Sequence, residues 1–408
     1  MFGNVAGVSS DIRGNMNKKS TLRVGAVVMG LAIFASACSS DKKGATATTT
    51  KAGGATTTAA AGGGVKCDGL KLGFVGALSG PNGALGTNMV NGAQIALDDW
   101  NSANPDCKIS LDARDSTGDG KIALPLATAL VGDAKVVGLI GPGFSGETKA
   151  TMPTFEAGTL PMITPGATNA KLSTNGWKMF HRILANDDKQ APGVVKYIQG
   201  AGAKKVGVID DASEYGKGLA DSVRSGLGAL KTADAKVDPK ASDFSAAVNS
   251  MKAAGVDLIF YGGYYAEAAK LVTQLRDAGI TAKFVSGDGS LDPAFIKNAG
   301  DKNAEGVVLT ATGAPSDVNK DFADKFMAKF KTVPALYSPE AYDCAKIFLD
   351  GIAAGKVTRA DLAAFVSAYD KDGITKHIKF DATGEPAGSA VFYTVVEGGK
   401  LVAKGLIK

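Results

Sequence analysis

Residues 136–169 read VVGLIGPGFSGETKATMPTFEAGTLPMITPGATN, and this stretch decides the predicted fold. The apolar run at its start predicts a buried strand, the glycines predict a turn, and we expect a helix to begin at Ser145. A second short strand leads into the loop PGAT, which carries Thr168. The carboxyl ends of parallel strands would bring Ser145 and Thr168 to one crevice, where a helix N-terminus favours a carboxylate. The alternative is that Ser145 only caps its helix and PGAT is only a turn.

On both sides of this stretch, periods of two and of 3.6 residues alternate, which predicts an α/β fold with parallel sheets and crossover helices. The predicted strands outside the stretch are 71–78, 109–114, 205–209, 256–261, 282–286 and 306–310, with a weak one at 235–237. The predicted helices include 87–101, 122–131, 192–199, 216–230 and 266–278. The chain has 408 residues, which favours two lobes. Late helices followed by terminal strands indicate that the chain crosses back between lobes at a hinge.

The first 37 residues are predicted to be a signal peptide. Basic residues at 18, 19 and 23 precede an apolar run at 24–34, which is short for a membrane span. The string ASAC at 35–38 resembles a bacterial lipobox, which would place a diacylglycerol anchor on Cys38, although Ala35 stands where such boxes usually have Leu. The string MNKK from Met16 would begin a signal of normal length, so we suspect that translation starts there.

Residues 38–64 are predicted to be the lipidated cysteine and a flexible tether, because Ser, Thr, Ala, Gly and Lys make up nearly all of residues 39–64. An anchor and a tether imply an extracytoplasmic domain held at the cell membrane. Without residues 1–38 the net charge falls from +5 to +2, which does not suggest a nucleic-acid binder.

Three further cysteines need an account in an oxidising compartment. Cys67 and Cys107 each precede a predicted strand, and adjacent parallel strands would bring them within bridging distance. We therefore favour a disulfide between Cys67 and Cys107 and a buried, inert Cys344. Free or metal-binding thiols are the alternative, but no CxxC or histidine spacing supports a metal.

Polar groups follow four further predicted strands or turns. The loop 78–86 is rich in glycine but lacks the spacing of a dinucleotide or phosphate-binding loop. Tyr215, Tyr264 and Asp288 each follow a strand in the second half. Taken one at a time, each of these residues has an ordinary structural interpretation, as a core, rim or turn residue. Together, the two halves supply an anion pocket and a carboxylate with aromatic hydroxyls, which an amino-acid zwitterion needs.

Several segments in order resemble a periplasmic binding protein for branched-chain amino acids, of the leucine/isoleucine/valine type. The segments are GALSGPNG, GPGFSGETKATMPTFEAGTLPMITPGATN, DDASEYGKGLADSV, DFSAAV, DLIFYGGYYAEAAKLVTQLRDAG and YDCAKIFLDGI. The resemblance spans residues 70–396. It implies the type I fold of that family, with two Rossmann-like lobes, parallel sheets and a three-crossover hinge. The lobes would be 65–182 with 313–378, and 183–312 with 379–408.

The resemblance also implies a role for each site residue. Ser145 and the backbone N–H of Ala167 would hold the ligand carboxylate, and Thr168 would bridge carboxylate and ammonium. Tyr215 and Tyr264 would close over the ligand, and Asp288 would pair with the ammonium. Leu85 would face the ligand side chain where relatives often carry an aromatic residue. The ligand-binding residues are therefore expected to be Leu85, Ser145, Ala167, Thr168, Tyr215, Tyr264 and Asp288.

The function implied by this resemblance is capture of an amino acid by lobe closure and delivery to the permease of an ABC transporter, with no cofactor or metal. The alternatives are a ligand-sensing receptor domain and a binder of amides or urea with the same fold. An enzyme is not favoured, because His181 and His377 are the only histidines and neither has a nucleophile beside it in a motif.

Overall fold

The computed structural model describes Cys67 and residues 69–315, 317–388 and 390–408. The predicted signal peptide, Cys38 and the predicted tether lie outside the described residues. In the described parts the strands are β1 (Lys71–Gly76), β2 (Ser110–Asp115), β3 (Val136–Ile140), β4 (Met162–Thr164), β5 (Phe180–Arg182), β6 (Val206–Asp210), β7 (Lys231–Lys236), β8 (Leu258–Gly262), β9 (Lys283–Ser286), β10 (Val308–Ala311), β11 (Asp370–Asp372), β12 (His377–Lys379), β13 (Phe392–Glu397) and β14 (Lys400–Leu406).

The α-helices alternate with these strands over most of the chain. They are α1 (Gly83–Ala103), α2 (Gly120–Gly132), α3 (Ser145–Ala157), α4 (Asp187–Gly200), α5 (Glu214–Leu227), α6 (Ser245–Ala254), α7 (Tyr265–Asp277), α8 (Pro293–Ala299), α9 (Asp301–Ala304), α10 (Lys320–Phe330), α11 (Ser338–Ala353) and α12 (Arg359–Ser367). Short 3₁₀ helices occupy Ala170–Asn175, Gly228–Leu230 and Asp288–Ser290.

The first lobe is built on a parallel sheet of five strands in the order β2-β1-β3-β4-β5. The inner strands β1, β3 and β4 are buried along nearly all their length, as the VVGLI of β3 shows, whereas the edge strand β2 (SLDARD) is partly exposed. Buried parallel strands of this kind need helices on both faces. Helix α11 packs against α1, and α2 packs against α3. Because β1 lies between β2 and β3, the chain leaves β1 and β3 in opposite directions, which opens a crevice at their carboxyl ends.

The second lobe is built on a sheet of seven strands in the order β14-β13-β10-β9-β8-β6-β7. Strands β6 to β10 are parallel to one another, whereas β13 and β14 are antiparallel to their neighbours. Parallel sheets in two lobes confirm the predicted fold class. The chain passes between the lobes after β5, after β10 and after β12. The lobe boundaries given above remain predictions.

A disulfide joins Cys67 to Cys107 with their Cα atoms 4.8 Å apart, as predicted. The two residues come just before the neighbouring parallel strands β1 and β2. Cys344 is a free cysteine buried in α11, and burial raises the pKa of its thiol well above its ordinary value. A buried neutral thiol is unreactive, in agreement with the inert cysteine that we expected.

The stretch around β5 and α4 differs from the sequence prediction. A strand forms at Phe180–Arg182, where none was predicted, and the helix predicted from Pro192 begins at Asp187. Proline favours the first helical position, but here Pro192 lies inside the helix. Instead, two aspartates occupy the first turn, where acidic side chains favour the helix N-terminus.

Candidate ligand-binding site

The carboxyl ends of the two sheets face each other across a space that we call the cleft. On the first-lobe side, Ser145 is the first residue of α3, as predicted, and it is completely buried. Its hydroxyl oxygen accepts a hydrogen bond of 3.1 Å from the backbone N–H of Asn169. The structure therefore brings the start of α3 together with the loop PGATN at 165–169.

The side chains of Thr164 and Arg182 hold this loop through hydrogen bonds to its backbone. The hydroxyl of Thr164 accepts a hydrogen bond from the backbone N–H of Ala167 at 3.0 Å and donates to the carbonyl of Pro142 at 2.7 Å. The N–H of Ala167, expected to hold the ligand carboxylate, is thus engaged inside the loop. Arg182 donates to the carbonyls of Ala167 and Asn169 at 2.9 and 3.0 Å.

Arg182 has the largest completely buried side chain among the described residues, and it ends β5. Besides the loop carbonyls, its guanidinium pairs with the carboxylate of Glu385 at 2.6 Å. Because Glu385 follows the third passage between the lobes, this ion pair fixes the loop to the hinge region. Arg182 is not among the predicted site residues, and because no strand was predicted at 180–182, the sequence carries no local signal for its role.

On the second-lobe side, the phenol of Tyr215 donates to one oxygen of Asp288 at 2.8 Å and accepts from the N–H of Gly289 at 2.9 Å. Tyr264 precedes α7, and its ring centre lies 5.1 Å from that of Tyr215. The three residues assigned to this side of the cleft are therefore close together. Burial raises the pKa of Asp288, and the hydroxyls of Tyr337 and Tyr215 oppose that rise.

Tyr337 is a site residue that the sequence analysis missed. Its hydroxyl donates to the other oxygen of Asp288 at 2.5 Å. It lies in the left-handed region with φ of 71°, immediately before α11, which packs against α1 of the first lobe. The bond from Tyr337 to Asp288 therefore joins the two lobes. An aromatic residue before a Ser-Pro helix start is a weak signal, and nothing in the sequence links it to Asp288.

Leu85 lies in α1 and is completely buried in the same apolar cluster as Met89 and Phe144. Met89, one turn later, packs against the loop so closely that a Cβ on Gly166 would lie 2.5 Å from its terminal methyl. Phe144 meets the ring of Tyr264 across the cleft at 4.4 Å between ring centres. Leu85 therefore lies in the buried core of the first lobe, one helical turn before the residue that packs on the loop.

Further contacts across the cleft show that the two lobes are closed on each other. The side chain of Asn82 donates to Glu267 at 3.1 Å and accepts from the N–H of Ala266 at 3.2 Å. Asn88 donates to Asp292 at 2.9 Å, and the backbone N–H of Ala84 donates to the hydroxyl of Tyr265 at 3.3 Å. These bonds form a rim that seals one edge of the cleft.

Inside the closed cleft, several buried acceptors have no hydrogen-bond partner among the described residues. They are the hydroxyl of Thr168, both carboxylate oxygens of Asp187, and the side-chain oxygens of Asn186 and Gln190. Burial and the charge of Asp288 raise the pKa of Asp187 well above its ordinary value, and the Thr168 hydroxyl, which lies beside the carboxylate without the geometry of a full hydrogen bond, opposes the rise. Buried polar groups are nearly always satisfied, so this set indicates a place for a ligand with donor groups.

The described residues include no cluster of three or more histidine, cysteine, aspartate or glutamate side chains arranged to hold a metal ion. Over the same residues, no helix is both long and apolar enough to cross a membrane. His181 is buried in β5, and burial lowers its pKa to about 4. His377 lies in β12, with one ring nitrogen 2.7 Å from Asp370 and the other 2.7 Å from Asp372.

Two lobes that meet over a shared polar cleft define a solute-binding protein. The chain belongs to the periplasmic binding protein family, whose model matches residues 69–400. It is 30% identical to the Leu/Ile/Val-binding protein BraC3 of Rhizobium johnstonii over 350 residues, which covers 82% of this chain and 93% of that relative. The predicted family resemblance is confirmed.

Solved structures agree with this assignment. The branched-chain amino acid transporter substrate binding protein LivJ from Streptococcus pneumoniae, in complex with isoleucine, superposes with a TM-score of 0.77 at 29% identity. The leucine binding protein LivK from Thermotoga maritima superposes with a TM-score of 0.76 at 26% identity. Each match covers 83% of this chain and 99% of the other. Membership of this family implies an extracytoplasmic location.

Proposed function

We propose that this protein captures a free amino acid, with leucine, isoleucine and valine as the leading ligands, and delivers it to the permease of an ABC transporter. The ligands named for the similar proteins support this choice of substrate class. One observation in this chain carries the mechanism: Asp288 of the second lobe binds Tyr337, which immediately precedes helix α11 of the first lobe. The cleft is therefore complete only when the lobes are closed.

In this proposal each lobe binds a different part of the ligand. Ser145 and the N-terminus of α3 receive the carboxylate, and Thr168 lies between carboxylate and ammonium. Tyr215 and Tyr264 close over the ligand, and Leu85 belongs to the wall that meets its side chain. A ligand that contacts both lobes favours the closed state over the open state, which is how its binding becomes a conformational signal.

A thermal-shift screen of the purified protein against the twenty amino acids, urea and short amides tests the substrate class. A ligand that binds only the folded protein raises the melting temperature. We expect the largest rise with leucine, isoleucine or valine. A rise only with urea or amides would retain the closure mechanism and replace the substrate class. No rise with any of them would contradict the proposal.

The variant Ser145→Ala tests the proposed binding site for the ligand carboxylate. We expect leucine affinity to fall about tenfold, because a hydrogen-bonding hydroxyl at the start of α3 is lost. Ser245→Ala is the matched control, since Ser245 is an exposed serine at the start of α6 and bonds only to nearby Asp243. Equal affinities in Ser145→Ala and the control, measured by titration calorimetry, would refute the carboxylate site.

We also propose that Cys38 is lipidated and that the folded part is tethered to the outer face of the cell membrane. The support is the lipobox-like string ASAC and the low-complexity stretch after it. Cys38→Ser should move the protein from the membrane fraction to the soluble fraction. In cells lacking the protein, uptake of labelled leucine should fall. Unchanged uptake would favour a sensing role over delivery to a permease.

A further inference from the structure

A second cavity, of about 400 Å³, lies at the hinge, and we call it the hinge cavity. Its walls include residues from all three passages between the lobes: 184–185 after β5, 312–315 after β10, and 387, 388, 390 and 392 after β12. None of the seven residues expected to bind the transported solute lines it. Because movement of the lobes must alter the three passages, it must also alter the shape of this cavity.

Glu340, in the first turn of α11, contributes the buried carboxylate of the hinge cavity. The side chain is 1% exposed. Its oxygen Oε1 accepts from the backbone N–H of Ala314 at 3.0 Å, whereas Oε2 has no hydrogen-bond partner among the described residues. One oxygen therefore holds the second passage, and the other still requires a donor. A buried acceptor without a donor is costly, so the cavity indicates a place for a molecule that supplies one.

The other charged groups near Glu340 already have partners. The ammonium of Lys376 donates to the carbonyl of Ile183 on the first passage. Asp343, one turn along α11, accepts from two backbone N–H groups at 2.8 and 3.0 Å and from the hydroxyl of Thr375 at 2.6 Å. When all three groups are ionised, two carboxylates and one ammonium leave a negative charge uncompensated. A cationic donor would balance it.

The rest of the hinge cavity is mainly apolar. Leu184, Pro315, Val318 and Phe392 form much of its wall. Small-molecule sites usually have volumes of roughly 300 to 1,000 Å³, apolar walls and a few polar groups that orient the ligand. The hinge cavity meets this description, with Glu340 as the orienting group. It is therefore suited to a small apolar molecule with one cationic donor group.

We propose that the hinge cavity is a second ligand site, which takes a small primary amine with an apolar body and whose occupancy favours the closed lobes. The ammonium binds Oε2 of Glu340, and the apolar body contacts the wall around Phe392. The site does not depend on which solute occupies the cleft. Since both ligands favour the closed state, each raises the affinity for the other by the same factor.

The experiment compares benzylamine with benzyl alcohol, which has the same ring and no charge. Titration calorimetry is done on the purified protein at pH 8 with saturating leucine, so that the cleft is occupied. We expect the native protein to prefer benzylamine by about tenfold or more, because a charge-assisted bond is stronger than a neutral one. In Glu340→Gln, benzylamine affinity should fall about tenfold or more and benzyl alcohol affinity should change less than about threefold.

Glu305→Gln is the matched control. Its carboxylate also accepts from a backbone N–H, that of Gly398 at 3.0 Å, but Glu305 is exposed and does not line the hinge cavity. This variant should retain the native preference. Equal affinities of the native protein for the two probes would show only an apolar cavity and would overturn the inference. Displacement of benzylamine by leucine would place the amine in the cleft and would also overturn it.

The pH dependence of benzylamine binding identifies the group that receives the ammonium. Burial raises the pKa of Glu340 to about 7, Asp343 adds to the rise, and the N–H of Ala314 and the charge of Lys376 oppose it. The ionised fraction therefore rises about tenfold between pH 6 and pH 8, and benzylamine affinity should rise by the same factor. Benzyl alcohol affinity should stay constant.

His377 is the other titratable group that lines the hinge cavity. It is exposed, and its two ring nitrogens lie 2.7 Å from Asp370 and Asp372. Protonation of this ring would also weaken the binding of a cation at low pH. Glu340→Gln separates the two groups, because it should lose the pH dependence. A dependence that persists in Glu340→Gln would assign it to His377 and would contradict the role of Glu340.

Folding and access to the hinge cavity are checked with a second variant. Ala390→Leu places a larger side chain at an exposed position of the cavity wall, so both probes should lose affinity while the melting temperature stays native. Ala382→Leu, at an exposed position outside the cavity, should bind both probes normally. Native binding in Ala390→Leu would overturn the site. Glu340→Gln should melt at the native temperature or higher, since it removes a buried acid with an unpartnered oxygen.

The effect on closure is measured as the affinity for leucine with and without saturating benzylamine. We expect a rise of about twofold to tenfold, within the usual range of coupling between two sites. An unchanged leucine affinity would contradict the coupling. If the native protein binds no amino acid, the proposed transport function fails. The benzylamine titrations without leucine then still decide whether the hinge site exists.

Discussion

The two sides of the cleft are built in different ways. On the first-lobe side, polar contacts end on the backbone: Arg182 binds two loop carbonyls, and Ser145 and Thr164 accept from loop N–H groups. On the second-lobe side, side chains bind one another, with Tyr215 and Tyr337 on Asp288. Since Tyr337 immediately precedes a first-lobe helix, this second network is complete only in the closed state.

The difference indicates separate tasks for the two sides. A loop held through its backbone keeps its shape whether the lobes are open or closed, so it can receive a ligand first. A side-chain network that spans both lobes forms only on closure and adds to the stability of the closed state. Changes that release the loop on the first-lobe side should therefore affect folding most, and changes to the network on the second-lobe side should affect affinity.

The largest effect is expected from breaking the first side with Arg182→Met. The change leaves Glu385 and two loop carbonyls without their donor in a buried site, which should cost about 3 to 5 kcal/mol of unfolding free energy. Urea denaturation measures the loss. Arg114→Met is the control, because Arg114 pairs with Asp112 in a partly exposed ion pair, and such pairs contribute less than about 1 kcal/mol. Equal losses in both variants would contradict a special role for Arg182.

The pH dependence of stability tests the first-lobe side of the cleft. The titrating group is Glu147, a buried residue in the first turn of α3. Burial raises its pKa to about 7, although the hydroxyl of Ser116 and the N–H of Phe144 oppose the rise. The folded state therefore binds a proton more tightly than the unfolded state, whose value is near 4.5. This contribution to stability is complete below pH 4.5 and is lost as the pH rises through 7.

Glu147→Gln should remove that loss. Between pH 4.5 and 8, the native protein should lose roughly 3 kcal/mol of unfolding free energy relative to the variant. Ser116→Ala provides the matched comparison, because removing the hydroxyl that lowers the pKa should move the midpoint of the loss to higher pH. Parallel pH profiles for the native protein and Glu147→Gln would show that this carboxyl does not titrate as expected.

Much of the first side could be predicted from the sequence, and less of the second. Ser145 and Thr168 follow apolar strands and glycine turns, so local periodicity locates them. The bond between Tyr337 and Asp288 joins residues 49 positions apart on elements of different lobes, and no local pattern encodes such a contact. The predicted helix from Pro192 does not include Asp187, which the structure places in the first turn of α4.

Tyr337→Phe is the most direct way to disrupt the side-chain network on the second-lobe side of the cleft. Removing its hydroxyl takes one donor from Asp288 in the closed state, so leucine affinity should fall about tenfold, or about 1.4 kcal/mol. Tyr342→Phe on the same helix is the control, since its hydroxyl binds Asp99 at 3.1 Å within the first lobe. Calorimetry should find native affinity in the control. A similar loss in both variants would mean that α11 is disturbed generally.

The smallest effect is expected at the rim of the cleft, in Asn82→Ala. Asn82 bonds both to Glu267 and to the N–H of Ala266, across the lobes. It does not belong to the proposed ligand contacts, so its loss should favour the open state without altering the site. We expect affinity for leucine to fall twofold to fivefold, which corresponds to about 0.4 to 1 kcal/mol. The unliganded protein should also show a larger radius of gyration in X-ray scattering.

The rim variant separates closure from ligand contact more cleanly than the others, because a pure closure effect must weaken every ligand by the same factor. Leucine and valine should therefore lose affinity equally in Asn82→Ala. Asn303→Ala is the control, since Asn303 bonds to the carbonyl of Ala299 inside the second lobe and should change neither affinity nor radius. Unequal losses for the two amino acids would place Asn82 in the binding site itself.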